Sequence, residues 1–317
     1  MPLTLEQYAA HLDTRPDLSW PAPPEVERPK ARPHLVRLPE VRAVLWNVYG
    51  TLLSISGGDL AFEHPEPFVM GMALEKTIQE FKMWAAMPRK PGQPAEYLIG
   101  VYTQVLGTQC LAPGALERFP EVSADRLWDA IIKKLLQKDY KFDARFYGSL
   151  NEFSQKVAYF FHASLQGTTC YPGAAAALRH VAAAGLTQGL LADGQCFSKL
   201  QLQRGLARQD AGADVGELLS DGLCSLSYDI RGRKPSERLF RHALDALKAK
   251  GLEPAEVIHV GSRIGQDIAI ARRHGMRTAL FAGDKASLQA TPKQLKDGAS
   301  RPDVLLTELS QIADVVG

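Results

Sequence analysis

The 317-residue chain has little of what marks several common protein classes. Cysteine is scarce: Cys110, Cys170, Cys196 and Cys224 are widely spaced, and none forms a CxxC pair or a Cys/His ligand pattern. No zinc site or disulfide framework is therefore read from the sequence, and reduced thiols in a reducing compartment are expected. Charge of one sign is also missing. Lys and Arg number 37 against 35 Asp and Glu, a net charge of +2, so neither nucleic acid nor an anionic membrane is expected as a partner. No apolar run approaches the roughly 20 residues that cross a bilayer. The N-terminus has no basic stretch leading into an apolar core, so no signal peptide is read. A soluble cytoplasmic protein is the expectation. No internal repeat is visible.

What remains is an ordinary globular composition, 45% hydrophobic and 23% charged, on a chain long enough for roughly two domains. Residues 1–40 stand apart. Thr4 can cap a helix over "LEQYAAHLDTR". The proline-studded "RPDLSWPAPPEVERPKARP" then blocks helix and favours extended backbone. This arm reads as a strap anchored by Trp20 and Leu35, with a disordered linker as the alternative.

Residues 57–166 read as helical. "PFVMGMALEKTIQEFKMWAAM", "PAEYLIGVYTQVLG", "SADRLWDAIIKKLLQ" and "NEFSQKVAYFFHASLQ" carry apolar residues at helical spacing, with Ser123 as an N-cap. Their aromatic and Met stripes suit core faces rather than a cofactor site. From residue 167 the pattern alternates. The strand candidates are "LTQGLLA", "EVIHVG", "RTALFAG" and the start of "DVLLTELSQIADVV". Helices run between them and stop at Gly185, Gly251 and Gly275. Such repetition implies a doubly wound parallel sheet, a Rossmann-like α/β core. An apolar strand ending at Trp46 joins that core from residues 41–56, ahead of the helical insertion.

Four segments lie at predicted strand or helix boundaries. They are "NVYGT" at Asn47–Thr51, "GLLADG" ending at Ala192, Asp193 and Gly194, "RGRKPSERLF" around Lys234, and "HVGSRIGQD" with Ser262 and Asp267. In this order, with this insertion, they resemble the motifs of the haloacid dehalogenase (HAD) superfamily of hydrolases. The resemblance covers about residues 41–316. It implies a HAD-like core over 41–56 and 167–317, with 57–166 as a helical cap.

The departures are as informative as the matches. The family's chemistry uses a carboxylate nucleophile where this chain has Asn47, whose amide is neutral with a delocalised nitrogen lone pair. Tyr49 stands where family phosphatases mostly have an Asp acid-base and the dehalogenase branch has Tyr. Ala192 lacks the hydroxyl of the second motif, and Ser262 replaces an acid of the fourth. The catalytic positions by resemblance are thus Asn47, Tyr49, Thr51, Asp193, Lys234 and Asp267. The anion-binding positions are Thr51, Gly194, Lys234 and Ser262.

Family roles carry over to Thr51, Lys234 and Asp267. Asp267 is the one acid left for the family's Mg²⁺, which is expected to bind weakly if at all. Carboxylate and amide look exchanged between Asn47 and Asp193. Asp193 then has three alternatives: a pair with Lys234 or the Asn47 amide, a general base for water, or a turn cap left by drift. His259 reads as a satisfied core residue, Arg231 and Arg233 as part of a solvated loop, and Arg263 as an exposed side chain, with anion binding near the site entrance as its alternative.

The expected function is a HAD-like protein with degenerate motifs, weak or absent phosphatase and dehalogenase turnover, and a pocket for a small phosphorylated or carboxylated molecule. Two alternatives stay open. One is an active hydrolase of phosphate esters or 2-haloacids using Asp193 or Asp267. The other is an interaction module that recruits a protein through the cap or the arm.

Overall fold

A computed structural model describes residues 1–87, 94–110 and 117–317. Positions 88–93 and 111–116 of the expected helical insertion lie outside the described residues. The described chain falls into two compact units.

The first unit is made of Met1–Ala22, Leu60–Ala112 and Val122–Gly167. Its main helices are Leu5–Asp13, Pro67–Glu80, Pro94–Gln109, Ala124–Leu136 and Leu150–Leu165. Capping chemistry sets two of their starts. Thr4 with Gln7, and Ser149 with Glu152, form reciprocal capping boxes that satisfy backbone donors a helix leaves open. Ser123 occupies the N-cap position before Ala124, but its side chain makes no capping bond. The core is aromatic. Phe81 meets Tyr8, Tyr147, Phe153 and Phe160, with ring centroids 5.4–6.2 Å apart. The proline-rich arm begins here: Trp20 sits edge-on to Phe160 at 5.3 Å.

The second unit, Pro23–Asp59, Pro113–Glu121 and Thr168–Gly317, is the α/β unit. Its strands are β1 Ala43–Trp46, β2 Leu53–Ser54, β3 Thr169–Cys170, β4 Thr187–Ala192, β5 Cys224–Leu226, β6 Val257–Gly261, β7 Arg277–Phe281 and β8 Val304–Leu306. Six of them form one all-parallel sheet in the order β5-β4-β1-β6-β7-β8, and β2 and β3 make a separate antiparallel pair. β1 is central and wholly buried, so it reads as an unbroken apolar run rather than an alternating one. The Trp46 indole donates to Gln188 on β4 at 3.1 Å, and the Gln188 amide donates to the Leu178 carbonyl at 2.7 Å. This fixes the register of the strand that carries Asn47.

Two elements differ from the sequence reading. The three-residue edge strand β5 is too short to show periodicity. The segment after β8 is a 3-10 helix, Leu309–Asp314. From residue 23 the arm follows the open edge of β8. His34 and Leu305 exchange backbone hydrogen bonds at 2.9 Å each, and the Leu38 amide donates to the Val315 carbonyl at 2.8 Å. An edge strand's unpaired groups are thereby covered.

Candidate functional site

Segments following β1, β4, β5 and β6 bring Asn47, Asp193, Lys234 and Asp267 together at the carboxyl end of the sheet, where open α/β sheets place ligands. The centre is Lys234, whose side chain is 2% exposed. Its ammonium donates to Asp267 Oδ1 at 2.5 Å and to Asn47 Oδ1 at 3.1 Å, and lies 3.3 Å from His259 Nε2. The histidine tautomer follows from its other nitrogen. Nδ1 lies 3.0 Å from the Leu45 carbonyl, which can only accept, so Nδ1 carries the proton and Nε2 is free to accept from Lys234. Burial, with Lys234 next to it, pushes the His259 pKa down, which agrees with a neutral ring. An ammonium has three hydrogens, and here three acceptors take them.

Asn47 is equally committed. Its Nδ2 donates to the Tyr49 carbonyl at 2.8 Å and to Thr51 Oγ1 at 3.3 Å, while Oδ1 faces Lys234. An aspartate could not make the first contact, because two oxygens would meet.

Asp267 is held on every side. The wide helical turn Ile264–Ile268 swings it back over Gly261, and a Cβ on that glycine would fall 2.3 Å from Asp267 Cγ. Its second oxygen accepts the Arg263 amide at 3.0 Å. Burial alone would raise its pKa. Lys234 and the hydrogen bonds outweigh that and hold the carboxyl well below the usual carboxylate range.

Asp193 belongs to the site differently. It lies just past β4 and is half-buried, and its Oδ1 accepts the Lys234 backbone amide at 2.7 Å, not the ammonium. Burial pushes its carboxyl up to about 6, against the downward pull of Lys234. Of the two acids, Asp267 is therefore a fixed anion and Asp193 a titratable one.

Other expected positions have different employment. The Tyr49 hydroxyl donates to Gln201 at 2.6 Å and lies 2.8 Å from Ser198 Oγ; burial raises its pKa, so it is poorly suited to acid-base work. Thr51 is fully buried and serves as acceptor for Asn47. The Gly194 amide is spent on Ser227 at 2.9 Å. Ser262 Oγ is buried and has no partner among the described residues, and lies close to Gly50. Ala192 is buried at the end of β4.

Arg263 corrects the sequence reading. It is 4% exposed rather than solvated. Its guanidinium donates to Asp59 at 2.9 Å, to Gln266 at 2.8 Å and to the Gly58 carbonyl at 2.7 Å. Arg233 reaches the same Asp59 at 3.3 Å. Asp59 escaped the sequence reading because nothing local marks it. His259, read from the sequence as a satisfied core residue, is buried and bonded as expected, but its partner Lys234 lies 25 residues away and no local signal names it.

The donor set does not fit Mg²⁺. That ion wants one or two carboxylates with free oxygens. Asp267 has both oxygens bound to N–H donors, Asp193 gives one oxygen to the Lys234 backbone amide, and the amide oxygen of Asn47 is taken by an ammonium. Among the described residues, no group of three His, Cys, Asp or Glu is placed to hold a metal.

Backbone donors are better placed for a ligand. Among the described residues, the amides of Val48, Tyr49 and Asp193 have no internal hydrogen-bond partner, although Val48 is fully buried and Tyr49 nearly so. Buried backbone donors are seldom left open. These three sit just past the ends of the neighbouring strands β1 and β4.

Residues 232–312, which include Lys234, His259 and Asp267, match the HAD-hydrolase-like sequence family. The 2-haloacid dehalogenase of Pseudomonas syringae pv. Tomato DC3000 is similar in structure, with a TM-score of 0.51 at 18% identity, over 86% of this chain and 96% of that one. Similar at lower scores are a HAD phosphatase from Thermococcus onnurineus (TM-score 0.45, 17% identity, 86% and 96% covered) and the L-2-haloacid dehalogenase of Xanthobacter autotrophicus (0.44, 18%, 86% and 97%). No curated protein matches the sequence.

Proposed function

We propose that this chain, whose fold is that of the haloacid dehalogenase-like hydrolases, binds a small phosphorylated or carboxylated molecule at the tips of β1 and β4 without the covalent hydrolytic step. The observation that carries this reading is the closed hydrogen-bond set at the centre. All three ammonium hydrogens of Lys234 and both amide hydrogens of Asn47 go to internal acceptors. Asn47 is then a structural amide bridging Lys234 to the β1 turn. Loss of a nucleophile that works as part of a unit costs on the order of a millionfold in rate. The open amides of Val48, Tyr49 and Asp193 supply the anion's hydrogen bonds, as backbone nests do.

The test is a panel of phosphate esters and 2-haloacids, assayed with Mg²⁺, on the native chain and on Asn47→Asp. The native chain is expected to release neither phosphate nor halide above a blank, while inorganic phosphate raises its melting temperature saturably. Turnover confined to Asn47→Asp supports the reading. Robust turnover by the native chain overturns it. Mass spectrometry of the peptide around Val48 excludes a deamidated Asn47 as the source.

A second reading has its own observation. Asp193, half-buried with a pKa near 6, is the one group poised as a general base for direct attack by water. That reading requires native turnover that rises through pH 6 and is abolished in Asp193→Asn. Asp267 cannot fill the role, being buried and ion-paired.

A further inference from the structure

We propose a second ligand site, separate from the strand tips, that takes a small molecule bearing a diphosphate group. It is a groove of about 780 Å³ in the α/β unit, walled by Arg118 and Phe119 on one side and by Arg238, Arg241 and Arg273 on the other. That volume lies within the range of small-molecule sites.

The walls are built, not incidental. Glu117 accepts from Ser236 Oγ at 2.6 Å, the Arg233 amide donates to the Phe119 carbonyl at 2.8 Å, and Pro120 bridges to Gly232. These bonds fix the backbone on both sides of Arg118. Arg238 and Arg241 lie three residues apart on the helix Glu237–Ala249, and so on one face.

Positive charge is in excess here: Arg118, Arg238, Arg241 and Arg273 line the groove against Glu117 and Glu237. Glu237 is engaged by His274 at 2.9 Å and by Arg273 at 3.6 Å. Arg118, Arg238 and Arg241 form no ion pair among the described residues. Arg238 also stands in the first turn of its helix, where the macrodipole disfavours a cation. Like charges lining one groove at a positive helix end are a standing cost that a bound polyanion removes. Guanidinium forks match phosphate oxygens in pairs, so the chemistry favours phosphate groups. Phe119, 41% exposed, offers its ring to the body of the ligand.

Titration calorimetry with inorganic pyrophosphate and with ADP tests the site. Native protein is expected to bind both saturably, ADP more tightly, with affinity falling as salt rises. Arg118→Ala/Arg241→Ala should weaken binding by at least about tenfold, with unchanged circular dichroism, and Asp193→Asn at the strand tips should leave it unaltered. The site is overturned if pyrophosphate shows no saturable binding up to about 10 mM, or binds the double arginine variant as tightly as the native chain. ADP binding no tighter than pyrophosphate removes Phe119 from it. The arginine substitutions leave the strand-tip amides in place, so pyrophosphate binding lost in the double variant while phosphate still raises its melting temperature belongs to the groove, and binding that survives them belongs to the strand tips; failure of the two readings is therefore distinguishable.

Discussion

At the scale of single residues, the site is decided by where protons and charges can go. Lys234 and Asp267 are both nearly inaccessible, so each needs the other: a buried ion left without its partner costs about 3–5 kcal/mol. Lys234→Ala should therefore lower the unfolding free energy by about that much, read by urea denaturation. The double variant Lys234→Met/Asp267→Leu should recover most of the loss. If Lys234→Ala alone were neutral, the ion pair would not be the centre of the site. Asp193 behaves in the opposite sense. Its folded pKa is raised, so its contribution to stability is full below its ordinary unfolded value and is lost as pH rises through about 6. Asp193→Asn keeps an oxygen to accept the Lys234 amide and removes the ionisation. It should match the native chain at pH 4 and exceed it at pH 7 by about 1 kcal/mol, allowing for solvent screening of a half-buried group. Equal stability curves across that range would refute the assignment.

At the scale of elements, periodicity and turn chemistry were legible in the sequence and three-dimensional partnership was not. β1, β4, β6 and β7 are apolar runs ended by turn residues, and their ends could be read closely because Gly and Asp mark them. β5 was missed because three residues carry no period. Of the site, "NVYGT" puts Asn47 just past the end of β1, and "RGRKPSERLF" puts Lys234 in the turn before the helix Glu237–Ala249. The third partner of the ammonium, His259, and the Asp59 clamp on Arg263 depend on contacts spanning 25 and 204 residues, which no local signal encodes. The arm is an element only by virtue of its docking. His34→Pro removes the amide that bonds Leu305 and should unseat it from β8. Hydrogen exchange at the Leu305 amide should then accelerate, and light scattering on warming should rise as the sheet edge becomes available to other chains. Unchanged protection at Leu305 would show that the prolines, not the bridge, hold the arm.

At the scale of the whole molecule, the balanced composition conceals a division of labour. The helical unit packs on aromatic rings. The α/β unit packs on wholly buried strands such as Ala43–Trp46 and Val257–Gly261 and brings Asn47, Lys234 and Asp267 together at one end of the sheet. The placing of β1 between β4 and β6 has a consequence in time. Its pairing residues, Ala43–Trp46, find their partners at Thr187–Leu190 and Val257–Val260. A ribosome adding roughly 5–20 residues per second makes the first partner about 7–30 seconds after β1 and the second after about 10–40. Through that interval the most apolar strand of the sheet has neither neighbour. The N-terminal strand is thus the first made and among the last secured, and the nascent chain must keep Val44, Leu45 and Trp46 from other company until its C-terminal third has been synthesised.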